Sequence, residues 1–120
     1  MARARARRLD GEACARSDAS LARAFDVLGR RWTGVVLGTL SDGSASFSEL
    51  ARAVEGISDS VLATRLGELT EVGLVRRSVH EGTPLAVRYE LTDAGRALLP
   101  ALELISRWAD EHLPAVDRNG

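Results

Sequence analysis

FSELARAVEGISDSVLATRLGELTEVGLVRRSVHEGTPLAVRYELTDAG, Phe47–Gly95, is the stretch that decides the fold. Ser46 stands before it with Glu49 three residues on, the pattern of a capping box, and Phe47, Leu50, Ala51 and Val54 recur at helical spacing until Gly56 stops the helix. Ser58 caps a second helix, in which Leu62, Leu66 and Leu69 are separated by four and three residues and form one stripe toward a core. Gly73 ends it, and Leu74-Val75-Arg76-Arg77-Ser78-Val79-His80 reads as a strand. Beyond Glu81-Gly82-Thr83-Pro84, Leu85, Val87, Tyr89 and Leu91 alternate with Ala86, Arg88 and Glu90 as a second strand. Helix, turn, helix and hairpin is the order of a winged helix-turn-helix, a mainly α fold with a small β-hairpin. Such a fold sets its second helix in a DNA major groove and its hairpin, the wing, against flanking backbone.

Working outward, Asp42-Gly43-Ser44 is a turn, and before it a helix starting near Arg31 places Trp32, Val35, Val36, Leu37 and Leu40 inward. An earlier helix, capped by Asp18 or Ser20 and ended by Gly29, carries Leu21, Ala24, Phe25 and Leu28. Residues 1–17 show no apolar period, and Arg3, Arg5, Arg7 and Arg8 make them a flexible basic arm ahead of a domain over 18–115, with 116–120 as a tail. On the other side, Thr92-Asp93-Ala94-Gly95 opens a last helix. Its Ala97, Leu98, Ala101, Leu102, Ile105, Trp108 and Ala109 make an apolar face broader than one small domain covers, and at Pro100 the helix either kinks or restarts.

A chain of 120 residues suits one domain burying roughly two-thirds of its unfolded surface. No apolar run approaches the ~20 residues that cross a bilayer, and the Arg-rich N-terminus lacks the apolar segment of a secretory signal, so no membrane is expected and a cytoplasmic location follows. The single cysteine, Cys14, has no partner for an intramolecular disulfide. Net charge is −1, yet residues 1–31 hold eight Arg against four acids while 32–98 hold six against nine. All sixteen basic residues are Arg, which suits bidentate phosphate and guanine contacts, although a GC-rich coding sequence gives the same bias.

Opposite the Leu62–Leu69 stripe the second helix carries Ser60, Thr64, Gly67, Glu68 and Glu71, flanked by Ala63 and Arg65. Small and hydroxyl side chains near its N-terminus admit close approach to base edges, whereas phosphate repels Glu68 and Glu71, so the N-terminal half is the one that enters the groove. The expected DNA-binding set is Ser48, Ser58, Ser60, Ala63, Thr64, Arg65, Arg76, Arg77 and Arg88. Ser58 and Ser60 hold a phosphate at the helix start, Thr64 and Arg65 face base edges, and the wing arginines meet the backbone. Each has a plainer reading as well: Ser58 is a cap in any case, and Arg65 can pair with Glu68 or Glu71. His80 and His112 are the only histidines and lie in no catalytic or metal-ligand spacing, so no enzyme activity, metal or cofactor is expected. Trp32, Phe25 and Trp108 can line an effector pocket or belong to the core.

Gly29-Arg30-Arg31-Trp32-Thr33, Phe47-Ser48-Glu49-Leu50, Gly56-Ile57-Ser58, the Leu62–Leu69 stripe, Gly73-Leu74-Val75, Val87-Arg88-Tyr89-Glu90-Leu91-Thr92 with Gly95, and Trp108 together resemble the HxlR family of bacterial winged-helix transcription regulators, over about Cys14 to His112. The resemblance implies a homodimer held by N- and C-terminal helices, with Leu21, Leu98, Leu102, Ile105 and Trp108 at the interface, reading an inverted-repeat operator in double-stranded DNA, more in keeping with a repressor. Some members of that family use an N-terminal cysteine as a thiol sensor, for which Arg16 is a source of activating charge, but Cys14 has no resolving partner within the chain and reads first as an incidental thiol, with an intersubunit disulfide left open. A small molecule or an oxidant is the expected class of effector. The chain departs from the family at Cys14-Ala15, where Cys-Pro is usual, at Ser46 and Ala86, where basic residues are common, and at Arg88, where Glu is usual. The acidic middle and the missing cations fit a second class of function, a winged helix that binds protein and not DNA.

Overall fold

The computed structural model describes residues 11–115, with side chains from Asp18 onward, and divides into two compact units, 1–33 and 34–120. In the first unit, helix α1 spans Gly11–Leu28. It begins ahead of the expected caps, so Asp18 and Ser20 lie inside the helix, and residues 11–17 of the stretch read as an arm are helical. Arg3, Arg5, Arg7 and Arg8 lie outside the described residues. After α1, Trp32 has φ of +80°, a left-handed conformation that costs a bulky residue on the order of 1–3 kcal/mol. The Arg31 guanidinium sits 4.9 Å from the centre of its ring.

That reversal moves the next helix, α2, to Thr33–Thr39, followed by one 3-10 turn at Leu40–Asp42. With this start Val36, Leu37 and Leu40 form the buried stripe, while Val35, expected inward, lies outside it and is exposed. Helix α3, Phe47–Ala53, carries the capping box as read: Ser46 Oγ accepts from the Glu49 amide at 3.1 Å and Glu49 Oε1 accepts from the Ser46 amide at 2.9 Å. Helix α4, Asp59–Glu71, is capped by Ser58, whose Oγ accepts from Val61 N at 3.2 Å. Leu62, Leu66 and Leu69 are buried with Leu50, Val54, Val75 and Leu91, so the predicted stripe is the core of this unit.

At the end of α4 the Leu74 amide bonds to Leu69 O at 2.9 Å and the Gly73 amide to Thr70 O at 3.1 Å. This paired closure needs a left-handed residue at Gly73, where φ is +84°. The hairpin is β1, Val75–His80, antiparallel to β2, Ala86–Leu91. Leu85, expected to begin the second strand, precedes it and is exposed. Ala45 pairs with Tyr89 through both backbone bonds, 2.9 and 2.8 Å, and so lies along β2 on the side away from β1. Helix α5, Asp93–His112, is continuous through Pro100, which removes the restart and leaves the Arg96 carbonyl without an i+4 donor.

The start of α5 is fastened to the end of α4. Thr92 Oγ1 donates to Gly73 O at 2.6 Å and accepts from Gly95 N at 3.2 Å, while the Thr92 amide donates to Leu74 O at 3.1 Å. One threonine therefore caps α5 and satisfies the carbonyl of the glycine that closes α4.

Candidate nucleic-acid interface

The buried stripe orients α4, and the opposite face presents Ser60, Ala63, Thr64, Gly67 and Glu71 to solvent. Thr64 Oγ1 donates to Ser60 O at 2.9 Å, leaving its oxygen lone pairs and methyl group as what it can offer a base. Ser58 Oγ and Ser60 Oγ lie 3.4 Å apart at the helix N-terminus, where free amide groups and the helix dipole favour an anion. Arg65 is otherwise engaged. Its Nη1 lies 2.7 Å from Glu68 Oε1, and its side chain is only 15% exposed. This pair also neutralises Glu68, so of the two acids on the far half of α4 only Glu71 shows an unmitigated charge to a phosphate.

The hairpin register sorts the wing arginines. Arg76 faces Glu90 and Ser78 faces Arg88, so Arg76 and Arg88 share one face of the sheet, and Arg77, opposite Tyr89, lies on the other. Arg76 Nη2 and Nε contact the same Glu90 oxygen at 2.9 and 3.1 Å. As an exposed pair it contributes at most about 1 kcal/mol and is easily given up. Arg88 reaches across to the segment before α3, donating to Ser44 Oγ and Ser44 O, both at 2.9 Å, and pairing with Glu49 at 3.2 Å. Among the described residues the side chains of Arg52, Arg77 and Arg96 make no ion pair or hydrogen bond. Arg52 escaped the reading of the sequence. It stands one helical turn from Ser48 on α3, so the i, i+4 spacing that places them together was the available signal.

The Ser46 amide and hydroxyl, and then the Arg88 guanidinium, hold the Glu49 carboxyl below its ordinary value of 4.5. A carboxyl with a lowered folded value adds stability above its unfolded pKa and loses it as pH falls through the folded value. Glu49→Gln keeps the acceptor for Ser46 and drops the charge. The expected result is a thermal midpoint below wild type at neutral pH, with the gap closing as pH falls below about 4.5. A gap independent of pH in circular-dichroism melts contradicts the role given to this charge.

Away from α4 and the wing, a groove of about 810 Å³ in the second unit is lined by Val35, Gly38, Leu102, Ile105 and Ala109 among others. None of Trp32, Phe25 and Trp108, the aromatics considered for an effector pocket, lines it. Separately, α1 exposes Leu21 and Phe25, and α5 exposes Leu104, Ile105 and Trp108, each about half or more accessible. Leu98 and Leu102 are half-buried. Cys14 lies in α1 ahead of the described side chains, so the thiol reading falls outside them. Among the described residues no helix is long and apolar enough to cross a membrane, and no group of His, Cys, Asp and Glu is arranged to hold a metal.

Residues 27–117 match the model of the HxlR-like helix-turn-helix family. The chain is a member of the HxlR family. Similar proteins include YvaP of Bacillus subtilis, an uncharacterised HTH-type transcriptional regulator that is 44% identical over 89 residues, 74% of this chain and 82% of YvaP. YodB, an HTH-type transcriptional regulator of the same organism, is 40% identical over 88 residues, 73% of this chain and 79% of YodB. The solved reduced form of YodB superposes with a TM-score of 0.73 at 37% identity, over 82% of this chain and 96% of that one. The redox regulator HypR in its oxidised form gives 0.74 at 30% identity, over 80% and 99%. This HxlR-family chain is accordingly a DNA-binding transcription regulator of the helix-turn-helix type, and its relatives are regulators and not enzymes.

Proposed function

We propose that the chain acts as a homodimer on an inverted-repeat operator, more as a repressor than an activator, with the N-terminal half of α4 in the major groove and the wing on the backbone. The observation that carries this is the exposed face of α4: Ser60, Ala63 and Thr64 are small, solvent-facing and adjoin the Ser58 cap. Arg77 and Arg52 supply unpaired positive charge, and Arg76 joins them by releasing the exposed Glu90. In this reading Arg65 contacts a base edge only on leaving Glu68, so its first duty is to keep that acid neutral. Purified protein should bind a duplex spanning the DNA upstream of its own gene, with affinity falling steeply as salt rises. No retention of that duplex at low salt sinks the proposal in favour of a protein-binding winged helix.

The two-fold reading rests on the apolar residues that α1 and α5 leave exposed. Trp108→Glu puts a like charge on both sides of a symmetric interface, and the expected result is a monomer at micromolar concentration in sedimentation equilibrium, with operator affinity lost. A variant that sediments like wild type removes Trp108 from the interface. The similarity to HypR, a redox regulator, favours an oxidant as effector acting at Cys14, the only cysteine. Diamide should then alter operator binding of wild type but not of Cys14→Ser, and an equal response of both proteins excludes the thiol.

A further inference from the structure

We propose that Arg88 is a positioning residue that fixes the wing against the first helix of the helix-turn-helix, and that it does not contact DNA. The inference rests on the operator-binding reading and sharpens it. Arg88 stands on β2, yet its side-chain hydrogen bonds and ion pair lie across the fold, around the start of α3: Ser44 Oγ, the Ser44 carbonyl and Glu49 Oε1. A guanidinium is a planar fork whose Nε and Nη2 donate side by side, here to the hydroxyl and the carbonyl of Ser44, with Nη2 also 3.2 Å from Glu49 Oε1; an ammonium lacks that fixed pair of parallel donors. Glu49 also accepts from the Ser46 amide at 2.9 Å, so the carboxylate that Arg88 pairs with is oriented from the start of α3 as well. Next to it the Ala45–Tyr89 backbone bonds lock the same two segments together, which makes the Ser44–Ser46 strip the joint between hairpin and helices. Drawing Arg88 out to a phosphate breaks two hydrogen bonds to Ser44 as well as the pair with Glu49, whereas Arg77, unpaired on the other face, offers the same charge without breaking any.

Two substitutions separate positioning from contact. Arg88→Ala loses charge and fork; Arg88→Lys keeps the charge and loses the fork. If Arg88 positions the wing, both weaken binding of the upstream duplex by about tenfold, and the slope of log affinity against log salt stays that of wild type. A slope smaller by about 0.9 in Arg88→Ala and restored in Arg88→Lys means a phosphate contact and overturns the proposal. Wild-type affinity in both variants overturns it too. A thermal double-mutant cycle of Glu49→Gln with Arg88→Ala requires no DNA: the midpoint losses should be clearly less than additive, and strict additivity rejects the clamp. Failure of wild type to bind the duplex counts against the operator reading alone, because the cycle still reports on the clamp.

Discussion

Thr64→Glu should abolish operator binding while leaving the fold intact. Thr64 lies on the solvent face of α4, away from Leu62, Leu66 and Leu69, and glutamate is a good helix former, so nothing in the core has to move. The change removes a methyl group and a hydroxyl acceptor from the proposed base-edge position and adds a negative charge between two phosphate backbones. A wrong contact at one base pair costs about 1–3 kcal/mol, and repulsion adds to it, so the expected loss is at least about a hundredfold in affinity for the upstream duplex at fixed salt. Circular-dichroism melts should stay within a few degrees of wild type. Glu71→Gln, on the half of α4 assigned to stay clear of the groove, is the contrast: its affinity should change by only a few-fold. Equal losses in the two variants, or none in Thr64→Glu, would move the contact surface off this half of the helix.

Gly95→Ala should be the most damaging small substitution in the second unit. A Cβ on Gly95 points into the Leu74 carbonyl, closer than any real contact, and lies 3.1 Å from Leu91 Cδ2. The carbonyl is held in place, because it accepts the Thr92 amide and belongs to the residue whose own amide closes α4 on Leu69 O. Opening this corner disturbs Thr92 as well, whose hydroxyl serves Gly73 O and Gly95 N together. Overpacking against a fixed backbone typically costs 1–3 kcal/mol, and the added loss of cap bonds puts the expectation at about 3 kcal/mol, a fall on the order of 10 °C in thermal midpoint. Alanine favours helix, so propensity alone predicts a small gain, and a midpoint at or above wild type would show that the corner is softer than its hydrogen bonds imply.

What was legible in the chain is what neighbouring residues decide. The Ser46–Glu49 box, the Ser58 cap, the Leu62–Leu69 stripe and Gly73 act within four or five residues, and each stands in the structure as read. The family resemblance was legible for the same reason, since it is carried by short motifs in a fixed order, and the match over residues 27–117 agrees with it. The start of α1 was not, because Gly11-Glu12-Ala13-Cys14-Ala15-Arg16-Ser17 holds only small apolar side chains and gives no period to mark where a helix begins. Nor was the buried face of α2: Val35, Val36 and Leu37 are consecutive and a helix cannot turn all three inward, and packing leaves Val35 as the exposed one.

The candidate site divides along the same line. Which residues of α4 face away from the core follows from periodicity, so Ser60, Ala63 and Thr64 were assigned to the exposed face from the sequence alone. The fate of each arginine did not follow, because a charge pairs with whatever the chain brings near it. Arg65 finds Glu68 three residues away, whereas Glu71, six residues on, lies on another face of the helix and was not within its reach. Arg76 finds Glu90 through the hairpin register, and Arg88 finds Ser44, 44 positions distant, only once β2 lies along Ala45. Composition and spacing thus determined a winged helix and the face it shows, since caps and hydrophobic period are local properties. Tertiary structure decided which wing arginines are paired, since Arg76–Glu90 and Arg88–Ser44 depend on distances that no separation along the chain encodes, unlike the local Arg65–Glu68 pair.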